Sequence, residues 1–301
     1  MKPKYLLALT LLMLLSFALP TGVSAENSAP IAENINLQTY RGISVDGQLR
    51  ATDPQNDTLT YQLTTPPLKG EVTVNEDGSF CYTPDPSRRG KDYFGYTATD
   101  SSGNTSQEAT VIITLLKQKT AVTYADMTDS PLHYDAVRLA EQEIFVGAQI
   151  NGDYVFSPDT MISRGEFMAL CMSLSDLPIL GPVTNTGCAD DADIPPWQKP
   201  YIATAMMYRG AATVTVADSS AFQSTAPITC GEAAIMMDSI FNLSKVSAAN
   251  LNTALPNNMA QAVANLTACR VLSANCDTAQ YLNRGMTADM LSALMDVLEE
   301  R

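Results

Sequence analysis

One interval constrains this chain more than any other: a phenylalanine followed ten residues later by a glutamate, twice. Phe156 leads through Ser157-Pro158-Asp159 to Ile162-Ser163-Arg164-Gly165-Glu166-Phe167, and Phe222 leads to Ile228-Thr229-Cys230-Gly231-Glu232-Ala233. Such spacing marks a repeated unit, and a short unit that cannot bury its own apolar face needs neighbours to complete the core. Ser163-x-x-Glu166 and Thr229-x-x-Glu232 read as capping boxes. In each, the hydroxyl accepts from the third helical N–H and the carboxylate reaches back to the N-cap N–H. Phe167, Leu170, Cys171 and Leu174 then follow at helical period. Arg164 is less settled. A cation in the first turn opposes the helix dipole, yet it stands beside N–H groups that favour anions. It fits an anion site or a solvated surface equally well.

The repeated grammar extends upstream. Tyr124-Ala125-Asp126 opens a unit, and a helix is expected from His133-Tyr134 with Tyr134, Val137, Ala140 and Ile144 near one face. Gly147 is placed to end it, and Asn151-Gly152-Asp153-Tyr154-Val155-Phe156 is hairpin-like. A second unit runs from Cys188-Ala189-Asp190 through Trp197 and Gly210 to the second capping box. A third is eroded. Helices are expected over 258–271 and 287–298, with Tyr281 at the phenylalanine position and a spacing from Tyr281 to Asp289 two residues shorter than its counterparts. No arginine aligns there, Arg284 being the nearest substitute.

This order resembles the S-layer homology module, with its F-x-D opening, H-W helix, terminating glycine, F-x-P and I-T-R-A-E-F. The resemblance implies an all-α domain of three helical-hairpin repeats around a pseudo-threefold axis. Its inter-repeat grooves would bind secondary cell-wall polysaccharide, often pyruvylated, and tether an exported protein to the wall. Arg164 then lines a groove with Ser163 and Glu166. Tyr134 and Trp197 take the family's aromatic position, with core packing the first expectation and stacking on a sugar the second. Asp126 and Asp190 support turns. Cys230 replaces the arginine in the second unit, so one competent groove is expected. His133 has no evident orienting partner for acid–base work.

Residues 35–115 alternate in short strands split by turns. Val72 and Val74 share a face, as do Phe80 and Tyr82, across Asn75-Glu76-Asp77-Gly78. Residues 93–99 and 109–115 flank Ser101-Ser102-Gly103-Asn104 likewise. Six or seven such strands predict an antiparallel sandwich. Ala51-Thr52-Asp53-Pro54-Gln55-Asn56-Asp57-Thr58-Leu59-Thr60-Tyr61 and Asp92-Tyr93-Phe94-Gly95-Tyr96-Thr97-Ala98-Thr99-Asp100 resemble runs of the bacterial cadherin-like, Ig-like repeats, which implies an extracellular spacer or adhesion module. Asp53, Asp57 and Asp100 fit either calcium ligation or Asx-turns. The turn reading is preferred, because calcium takes about six to eight oxygens and only three carboxylates are in view. No metal or other cofactor is therefore expected, with calcium kept as the one alternative.

Lys2 and Lys4, the apolar run 6–19 and Val23-Ser24-Ala25 read as an export signal over 1–25. A lead-in (26–34), the sandwich (35–116), a linker (117–122) and repeats at 123–180, 184–245 and 250–301 complete the expected organisation. Asp plus Glu number 32 against 18 Lys plus Arg, which argues against nucleic acid and against anionic membranes as partners. Of the six cysteines, Cys81 and Cys171 are expected as buried thiols, and Cys269 and Cys276 could close a short loop. One histidine and no nucleophile–base–orienter set argue against an enzyme. The expectation is a non-catalytic surface protein held to wall polysaccharide. The alternative is an S-layer assembly component whose degenerate repeats bind other surface proteins.

Overall fold

A computed structural model describes residues 27–128, 130–209, 220–243, 246–247 and 254–299. The expected export signal and Gly210 lie outside them. The first half alternates as a sandwich should. Strands β1 (Ile31–Ala32), β2 (Ile35–Tyr40), β3 (Val45–Gln48), β4 (Ala51–Thr52), β5 (Thr60–Thr65), β6 (Gly70–Val74), β7 (Ser79–Pro84), β8 (Gly90–Thr99) and β9 (Ala109–Leu116) form two main sheets. Their orders are β2-β9-β8-β5 and β3-β7-β6, with β1 paired to β4. The expected hairpins form, with Val72 opposite Tyr82 and Tyr93 opposite Ile112. The sandwich is not wholly antiparallel: β2 and β9 run parallel from Ile35/Val111 to Tyr40/Leu116. Nor is the lead-in outside it, since β1 belongs to the domain.

Phe80, Tyr82, Phe94, Tyr96, Val111 and Ile113 fill the space between the sheets. Burying each such side chain contributes about 1.5–3 kcal/mol. The Phe80 and Phe94 rings meet edge to face at 5.2 Å. The Tyr96 hydroxyl donates towards Glu33 O and Arg50 O, each at 2.6 Å, tying the lead-in to the core. Cys81 corrects its expectation. It alternates with Phe80 and Tyr82 and is therefore exposed on the outer face of β7.

The second half holds α1 (His133–Glu141), a hairpin of β10 (Ala148–Ile150) and β11 (Asp153–Val155), α2 (Arg164–Leu174), α3 (Lys199–Arg209), α4 (Cys230–Phe241), α5 (Asn257–Ala268) and α6 (Arg284–Glu299). Helix α1 ends earlier than Gly147. That glycine, at φ +71°, instead turns the chain into β10, where a Cβ would lie 2.6 Å from Val155 O. The first helix of each pair packs on the second helix of the preceding pair: α3 on α2, α5 on α4, and α1 on α6.

The segments before α2, α4 and α6 close a ring. Ile228 N donates to Ile162 O (3.2 Å), Leu282 N to Ile228 O (2.9 Å) and Ile162 N to Leu282 O (3.1 Å). All three side chains are buried on the axis. This ring corrects the third register. Asn283 occupies the place of Ser163 and Thr229, with Met286 N donating to its Oδ1 at 2.8 Å. Seven residues upstream, where Phe156 and Phe222 stand, is Cys276 rather than Tyr281. The third spacing is therefore not shortened, and Arg284 aligns with Arg164.

Candidate functional site

The capping boxes form as expected. Glu166 Oε2 accepts from Ser163 N (2.9 Å) and Oγ (2.8 Å), and Glu232 Oε2 accepts from Thr229 N (2.9 Å) and Oγ1 (3.0 Å). Asp126 accepts from Phe156 N and Ser157 N, and Asp190 from Phe222 N and Gln223 N, at 2.7–2.9 Å. These bonds hold Ser157 and Gln223 at φ 56°. The turn reading of both aspartates is the one the geometry carries.

Arg164 does not line an open groove. It is 3% exposed. Its Nε donates to Phe222 O at 2.8 Å, and its guanidinium lies 5.5 Å from the Phe222 ring centroid. Its Nη1 pairs with Glu232 Oε1 at 2.8 Å. Burial pulls its pKa down, and Glu232 and then Asp190 oppose that pull. Glu232 thus caps α4 through one oxygen and holds Arg164 through the other. Arg284 repeats part of this pattern, donating to Phe156 O at 3.2 Å with its guanidinium 5.3 Å from the Phe145 ring. Its role was legible in Asn283-Arg284-Gly285, which copies the residue classes of Ser163-Arg164-Gly165.

The two aromatic candidates part company. Tyr134 is buried against Tyr40 of the sandwich, ring centroids 5.7 Å apart, and burial raises its hydroxyl pKa. Trp197 is 55% exposed rather than in the core. The reason is phase. Tyr134 lies eight residues after Asp126, and eight residues after Asp190 comes Gln198. Gln198 takes the inward place beside Gly165, leaving Trp197 one step outward. His133 is partly buried, and that burial lowers its pKa despite Asp126.

In the sandwich, Asp53, Asp57 and Asp100 converge, with one carboxylate oxygen of each within 4.8 Å of the others. The turn chemistry is also present. Asp53 Oδ1 accepts from Gln55 N and Asp57 N, and Asp100 Oδ1 from Ser102 N and Asn104 N, at 2.8–2.9 Å. The turn bonds and the clustering of the three carboxylates are thus compatible. Asn27 Nδ2 sits among Asp57 Oδ2 (3.0 Å), Asp100 Oδ2 (3.3 Å) and Ser102 Oγ (2.7 Å), donating where a cation would sit. Asn27 Oδ1 and Asp53 Oδ2 are buried without a hydrogen bond. Hard oxygen donors with orphaned lone pairs fit calcium.

The model of the bacterial cadherin-like domain matches residues 27–117. This segment is a bacterial cadherin-like domain. No curated protein matches the chain. Among solved structures, the chain is similar to the endo-fucoidan hydrolase MfFcnA4 of glycoside hydrolase family 107 at 21% identity over 31% of this chain and 14% of that one, with a TM-score of 0.26. It is similar to human protocadherin-24 EC1-2 at 20% identity, covering 29% and 44%, with a TM-score of 0.24. The sialic acid binding region of a Streptococcus sanguinis SK1 adhesin gives 19%, 32% and 31%, with a TM-score of 0.23. The chain thus spans 14% of the hydrolase. Among the described residues, no helix is long and apolar enough to cross a membrane.

Proposed function

We propose that this is a non-catalytic bacterial cell-surface protein. Its helical half holds secondary cell-wall polysaccharide, and its cadherin-like half projects as a spacer or adhesion module, with calcium bound at Asp53, Asp57 and Asp100. The supporting observation is the ring closed by Ile162, Ile228 and Leu282. Three helix pairs around one axis are the assembly that the S-layer homology resemblance implies. Within it, Trp197 is the glycan contact, because an exposed indole offers a flat apolar face to a sugar. Arg164 acts indirectly, by holding two units together.

The test is co-sedimentation of the mature protein with cell-wall sacculi, with and without their acid-extractable polysaccharide. Trp197→Ala should fold normally and lose binding. Arg164→Ala should unfold in less urea, losing about 2–3 kcal/mol; that is below the range for a fully buried pair because Glu232 is partly exposed. It should retain binding while folded. If wild type ignores intact sacculi, the wall tether fails. That result would favour the assembly reading, which the neutralisation of Arg164 by Glu232 also suits.

A further inference from the structure

The three seams of the ring share one register. Arg164 N donates to Ala226 O and Gly165 N to Ser224 O; Cys230 N donates to Gln280 O and Gly231 N to Thr278 O; Arg284 N donates to Thr160 O and Gly285 N to Pro158 O. These bonds, at 2.8–2.9 Å, bring the first residue of each second helix beside the phenylalanine position of the next unit. In two seams that contact is an arginine on a phenylalanine: Arg164 on Phe222 O, and Arg284 on Phe156 O. In the seam between the second and third units, both positions are cysteine. Cys230 stands at the arginine position and Cys276 at the phenylalanine position, and they form a disulfide.

We propose that the Cys230–Cys276 disulfide is the covalent counterpart of the arginine latch, a redox-sensitive lock on one of the three seams. Three facts support equivalence over coincidence. Both halves of the Arg–Phe contact are replaced together, and the flanking backbone bonds are unchanged. The glycine after the latch residue is also common to all three seams. A Cβ on Gly165, Gly231 or Gly285 would meet Gln198, Met259 or Leu132 at 1.9, 2.7 or 2.7 Å. Only the chemistry of the latch differs. The arginine seams depend on charge and desolvation, and the cysteine seam depends on the oxidation state of its surroundings.

The opening step balances with a dithiol reductant. Its thiolate attacks the Sγ of Cys276, the less buried of the two residues, and expels the Cys230 thiolate. The second thiol of the reductant then displaces Cys276. The reductant leaves as a cyclic disulfide, and the protein gains two thiols, two electrons and two protons. The released 46-residue separation contains α4 and α5, so the chain constraint lost is large.

The mature full chain should yield, without reductant, a linked peptide pair containing Cys230 and Cys276 that dithiothreitol abolishes. Dithiothreitol should also lower Tm by roughly 5–15 °C. Hydrogen exchange at Cys230, Gly231 and Leu282 should rise, while Arg164 and Gly165 stay protected. Cys230→Ser with Cys276→Ser should show the lower Tm and no response to dithiothreitol. Cys230→Arg with Cys276→Phe, copying the other seams, should recover most of the loss and also ignore dithiothreitol. If the serine pair does not fold, wild type with and without reductant reads the same seam. Absence of the linked peptide, or an unchanged Tm on reduction, overturns the lock. An Arg/Phe variant no more stable than the serine pair overturns the equivalence.

Discussion

At the residue scale, environment decides what a side chain's chemistry is used for. Arg164 and Trp197 are both expected from the sequence to meet glycan, but burial reserves the first for Phe222 and Glu232, while the second stays in water. Asp53 and Asp100 spend one oxygen each on turns and turn the other towards a shared space. The hydrogen bonds around Asp100 hold its carboxyl below the usual range, although burial, the largest single influence, works the other way. It is therefore ionised at neutral pH. With the dissociation constant of a typical extracellular module, 10 mM calcium should stabilise the wild type by about 1.4–2.7 kcal/mol. Urea denaturation with and without calcium reads this. Asp100→Asn keeps an acceptor for the turn and should abolish the increment; an equal increment in that variant would place the ion elsewhere.

At the scale of elements, α1 and α6 close the helical ring through charge. Arg138, buried in α1, donates to Ser292 O (3.0 Å) and Asp296 Oδ1 (2.6 Å) through Nη1, and to Glu299 Oε1 (3.0 Å) through Nη2. Asp135 on the same helix is pushed up to about 7, first by burial and then by Asp289 and Asp296, while Ser292 and Arg138 oppose the rise. A carboxyl whose folded pKa is raised binds its proton more tightly when folded. Its stabilising contribution is complete below the ordinary carboxylate range and is lost as pH climbs to about 7. Asp135→Asn mimics the protonated form. It should gain stability over wild type progressively from pH 4 to pH 7 and hold that gain at pH 8. A constant difference across urea melts in that range would rule out titration of Asp135 in this window.

At the scale of the whole molecule, the two halves share a core. Tyr40 and Ile43 from the sandwich belong to the same buried cluster as Tyr134, Val137 and Leu139. The linker is pinned as well: Lys119 N and Thr120 N donate to Glu141 at 2.7 and 2.8 Å. The fold therefore supplies a stiff joint between the two halves. Calorimetry should therefore record one coupled transition for the wild type. Tyr40→Ala removes the ring that meets Tyr134 and should split it into two. A single transition persisting in Tyr40→Ala would mean that Ile43 and the linker contacts suffice to couple the halves.

The sequence by itself determined the two classes of structure, the hairpins at 72–82 and 93–115, and the capping boxes at Ser163 and Thr229. Each depends on residues close in the chain, through side-chain period or reach across one helical turn. The sequence also carried the seven-residue interval from Cys276 to Asn283, but a missing phenylalanine hid it. Only tertiary structure decided that Asn283 caps the second helix of the third unit, that Arg164 faces Glu232, that Trp197 points outward and that Cys276 pairs with Cys230 rather than with Cys269. Those contacts join residues dozens to more than a hundred positions apart. They exist because the ring at Ile162, Ile228 and Leu282 sets the register of three units at once, and no local preference encodes a register shared between distant segments.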